Sequence, residues 1–122
     1  MSRATQKFAA FTCHFITPRW ELWSVLLAAD YMPEGHTGEN IAARTLSTIS
    51  SFGVPTCKLV STVHDQASNM VSAGEKISDA IESHEDLLCA ANRLQLCVTH
   101  SLLEEPVATL LPTARTLVGH LG

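Results

Sequence analysis

The amino-acid sequence predicts an α/β fold, because stretches with strand periodicity alternate with stretches of helical spacing. Residues 7–17 alternate as strands do, residues 38–52 repeat apolar side chains at helical spacing, and residues 57–63 form a short β-branched run. The predicted order is a β-hairpin, a helix, a strand, a helix, a short strand and a helix, with the strands in one mixed sheet.

The N-terminal part is predicted to be the hairpin. Its first strand lies in residues 7–17, where Phe11 and Cys13 share one face, and a turn follows at Thr17–Arg19. The second strand is the aromatic and branched segment that comes next. Its two tryptophans, Trp20 and Trp23, are expected to pack in the core.

Helix boundaries are marked by capping residues and by helix breakers. Thr37 is a predicted N-cap for the helix over residues 38–52, which Gly53 and Pro55 end. The strand at 57–63 is predicted to be buried, and a second helix starts at Ala67 and runs to about Glu75, fraying through Gly74. A short strand near Leu87–Cys89 precedes a third helix, and a last helix enters at Glu104–Pro106, where Pro112 is expected to kink or divide it.

Composition limits the classes of partner. The chain has 122 residues, 46% hydrophobic and 16% charged, so we predict one globular domain over residues 1–122. A net charge of −4 with eight Lys and Arg predicts weak or no nucleic-acid binding by the chain alone. No apolar run reaches the length of a membrane span, and we expect no membrane partner. The spacing of the four cysteines matches neither a zinc site nor a compact disulfide framework, so we expect reduced thiols in the nucleus or cytosol.

The segment "KLVSTVHDQASNM" places Asp65 directly after a strand and before a helix. Asp is a favoured helix cap, which is the commoner role at such a position. The carboxyl end of a strand is also where ligands gather in α/β sheets, and a carboxylate there can bind Mg²⁺. Both interpretations remain open from the pattern alone.

Two other pairs of residues have metal-ligand chemistry but do not form a complete motif. Cys97 and His100 have C-x-x-H spacing without a second half, and a buried structural cysteine is the commoner alternative. Cys13 and His14 lie on opposite faces of a strand and cannot readily share a ligand.

Several segments together resemble one family in order along the chain. They are "SRATQKFAAFTCHFITPRWELWSVLLAADYMPEGHTGENIA", "VSTVHDQASNMV", "CAANRLQLCV" and "ARTLVGHL". They resemble the hAT-superfamily transposases, and most of all their domesticated relatives, the zinc-finger BED-domain-containing proteins. The resemblance implies a partial RNase H-like fold whose central first strand, expected before Ser2, is missing.

The resemblance also implies what remains of a catalytic site. The family uses a D-D-E set that binds two divalent metals for phosphoryl transfer. Asp65 corresponds to the second carboxylate, whereas the first Asp and the Glu are expected to lie outside this chain. The family's C-x-x-H motif corresponds to Cys89 and Asn92, with the histidine replaced. His64 is a further departure, because the family has a threonine there.

The resemblance therefore implies a catalytically inactive, transposase-derived fragment with an unknown protein partner. Nuclear rather than cytoplasmic localisation and a link to transcription follow from the family alone. No cofactor is expected, with Mg²⁺ or Mn²⁺ at Asp65 only if activity is retained. The alternative is a truncated segment of an active hAT DNA transposase.

Loss of a central strand predicts marginal stability for the isolated chain. The hairpin and the strand at 57–63 would either pair directly or leave an open, apolar sheet edge that favours aggregation or partner strands. We expect a broad thermal transition and poorly dispersed amide NMR signals. A cooperative melt of a monomer with sharp, dispersed signals would contradict this prediction.

Overall fold

A computed structural model of the chain describes residues 7–121, with the side chain of residue 121 left out. In chain order the elements are β1 (Phe8–Ile16), β2 (Leu22–Tyr31), α1 (Gly38–Ser51), a 3-10 turn (Thr56–Lys58), β3 (Ser61–His64), α2 (Ser68–Ala80), β4 (Glu85–Leu88), α3 (Ala90–Leu103) and α4 (Val107–Leu121). The chain divides between Leu87 and Leu88 into two compact units. The predicted α/β class and the order of its elements are confirmed.

The hairpin pairs β1 with β2 in antiparallel register from Phe8 opposite Tyr31 to Ile16 opposite Leu22, with an irregularity between Phe11 and Thr12. Its turn places Trp20 at a φ of 63°, in the left-handed region that bulky residues rarely adopt. The expected core packing of the tryptophans is wrong. Trp20 is 86% exposed and Trp23 is 53% exposed, since Trp20 lies in the turn itself and Trp23 in the exposed start of β2.

The strands form two separate two-stranded sheets rather than the single mixed sheet predicted. β1 bonds to β2 and β3 to β4, and β1 and β3 have no other strand neighbour within residues 7–121. β1 contacts α1 whereas β3 contacts α2, so each sheet is held by a different helix. The β-branched run is also less buried than expected, with Val60 72% and Val63 63% exposed, because β3 is paired on one side alone.

Helices α1 and α2 pack together and supply most of the core of the first unit. The N-cap at Thr37 is confirmed, since its Oγ1 accepts the backbone N–H of Asn40 at 3.2 Å. α2 is longer than predicted and continues through Gly74 to Ala80. A small set of buried apolar side chains forms the core: Met32, Ile41, Ala42, Ala73, Ile77 and Ile81.

The second unit contains the helices α3 and α4, which contact each other. α4 is not divided at Pro112, which lies inside its span. Cys97 on α3 is exposed, so the expectation of a buried cysteine there is wrong. No helix within residues 7–121 has the length and apolar character needed to cross a membrane.

Candidate functional site

Asp65 lies directly after β3 and directs its carboxylate back to its own backbone. Its Oδ1 accepts the backbone N–H of Ala67 at 3.1 Å, and the side chain is exposed. The N-cap residue of α2 is Ala67, which has no side chain that can cap. Asp65 therefore forms a turn that leads into the helix, and is not itself the N-cap.

His64, at the end of β3, is a buried side chain with a hydrogen-bond acceptor at each ring nitrogen. Nδ1 lies 2.6 Å from the carbonyl oxygen of Asp65, and Nε2 lies 2.8 Å and 3.0 Å from the two carboxylate oxygens of Asp86. Only the imidazolium form donates from both nitrogens, so this geometry favours the charged ring. Burial by itself lowers the pKa of His64, but the bonds to the Asp65 carbonyl and the Asp86 carboxylate outweigh it and raise the pKa above its ordinary value.

Asp86 on β4 completes this cluster and was not singled out from the sequence. Its Oδ1 also accepts the hydroxyl of Thr62 at 3.2 Å. Its carboxylate lies against Gly74 of α2, where a Cβ would overlap it. A glycine in a helix interior costs about 1 kcal/mol relative to alanine, so its presence there indicates a packing reason. Gly74 is therefore the sequence signal that another group, here the Asp86 carboxylate, approaches the helix closely.

Groups of the chain itself engage both carboxylates of this cluster. The Asp65 carboxylate bonds to the backbone of Ala67, and the Asp86 carboxylate bonds to His64. Within residues 7–121 no three His, Cys, Asp or Glu side chains converge with metal-site geometry. A cationic His64 would also repel a divalent ion, because like charges in a partly buried site interact strongly.

The residues of the degenerate C-x-x-H motif lie in the second unit. Cys89 is the N-cap residue of α3 without a side-chain capping bond, and Asn92 lies in the first turn of that helix. Both are half-buried. The structure therefore places Asp65 in one unit and this motif in the other.

Asn69, a polar residue of the "ASNM" segment, has a structural contact that sequence analysis did not predict. Its Nδ2 donates to the carbonyl oxygen of His36 at 2.8 Å, which ties the start of α2 to the turn before α1. This bond spans 33 residues and could not be inferred from local pattern.

Two two-stranded sheets on a helix pair, with a carboxylate at the end of a strand, are consistent with a partial RNase H-like domain of the α/β class. The family model of the ZBED1 RNase-like domain matches residues 1–93, which include the whole of the first unit. The match covers more than half of the chain, and the chain belongs to this family. No curated protein and no solved structure matches the chain. The family match confirms the resemblance to the hAT-derived zinc-finger BED-domain proteins.

Gly74→Ala is expected to destabilise the first unit. The new Cβ would overlap the Asp86 carboxylate, and overpacking of this kind costs about 1–3 kcal/mol. The free energy of unfolding, measured by urea titration, should fall accordingly. Gly119→Ala in α4 is the matched control, because no atom lies within 4 Å of its added Cβ. Measured against Asp86→Ala, adding Gly74→Ala should cost less than it does in the unmodified chain, and an equal cost in the two backgrounds would contradict the assigned contact.

The His64–Asp86 contact is expected to make stability depend on pH. Because folding raises the pKa of His64, the stabilisation is complete below the ordinary value of 6.5 and is lost as pH rises through the higher folded-state pKa. Urea titrations from about pH 6 upward should therefore show the free energy of unfolding decreasing. His64→Gln should remove that slope, and His14→Gln, on an exposed residue of β1, should retain it. The same slope in both variants would refute the assignment to His64.

Proposed function

We propose that this chain is a catalytically inactive, transposase-derived RNase H-like domain that acts as a protein-interaction module. The observation that carries this proposal is the engagement of both nearby carboxylates. Asp65 bonds to Ala67 and Asp86 bonds to His64, so neither is directed to a shared metal position. Phosphoryl transfer by two metals needs carboxylates that converge on the ions.

Charge further supports the inactive assignment. His64 lies between the backbone of Asp65 and the carboxylate of Asp86, and its raised pKa keeps the ring cationic over more of the neutral pH range. In its protonated form His64 places a positive charge next to the family carboxylate, where a metal ion would bring two more.

A protein partner is favoured over nucleic acid by the surface of the hairpin. Trp20, Leu22 and Trp23 are 86%, 72% and 53% exposed, and exposed aromatic side chains are typical of protein interfaces. The chain carries a net charge of −4, which opposes binding to phosphates. Nuclear localisation and a link to transcription are proposed on family resemblance.

A metal titration tests the proposed inactivity. We expect a titration of Mn²⁺ into the protein, measured by isothermal titration calorimetry, to give the same weak, non-saturating heats for the unmodified chain and for Asp65→Asn. Supercoiled plasmid incubated with the chain and Mn²⁺ or Mg²⁺ should remain unnicked. Asp79→Asn, on an exposed residue of α2, is the control for general loss of negative charge.

Two observations together would contradict the proposed inactivity. Saturable Mn²⁺ binding that is lost in Asp65→Asn and kept in Asp79→Asn, together with plasmid nicking, would overturn the proposal. It would instead favour the alternative, a segment of an active hAT transposase that performs metal-dependent phosphoryl transfer.

A further inference from the structure

We draw no further inference here: the strongest candidate, the exposed aromatic surface patch around Trp20 at the tip of the β1–β2 hairpin, is an unpartnered apolar face, and nothing in the structure shows what covers it.

Discussion

Both sheets of this domain depend on the packing of α1 against α2. A two-stranded sheet has marginal stability alone in water, so each needs an apolar surface to cover one face. Met32, at the end of the hairpin, is 1% exposed and belongs to the same core cluster as Ile41 and Ile77. At the helix crossing a Cβ on Gly38 would overlap Ser72, which shows how closely the two helices approach. The helix pair therefore supports both of the otherwise separate two-stranded sheets.

The His64–Asp86 pair links β3, β4 and α2 at the other end of this core. His64 bonds to Asp86 across 22 residues of sequence, and Asp86 fits only because Gly74 has no side chain. A buried ion pair costs desolvation and is favourable when further hydrogen bonds satisfy its members. Here Thr62 and the Asp65 carbonyl supply those bonds. The cluster fixes the position of β4, a strand of four residues with little apolar surface of its own.

Local patterns predicted the elements well and their assembly poorly. The cap at Thr37 and the helix that follows could be predicted because capping acts over three residues. Gly74 was interpreted as a fraying helix end, because nothing local shows that Asp86 packs against it. The single mixed sheet was predicted from the order of strands, yet pairing depends on whether β1 and β3 come within bonding distance. The strand–helix pattern and the resemblance together single out Asp65, whereas neither predicts that its neighbour His64 bonds to Asp86.

His64 lies between the backbone of Asp65 and the carboxylate of Asp86, and this position affects what either aspartate can bind. A carboxylate that serves a metal must keep its oxygens directed to the ion, with no fixed cation beside it. His64 has its side chain within this cluster and also lines a cavity of about 520 Å³, which no Lys, Arg, Asp or Glu lines among the described residues. A cationic histidine beside Asp65 disfavours a metal, and both of its ring nitrogens are already engaged by the Asp65 carbonyl and the Asp86 carboxylate. The residue that departs from the family pattern thus supports the proposed loss of phosphoryl transfer in this domain.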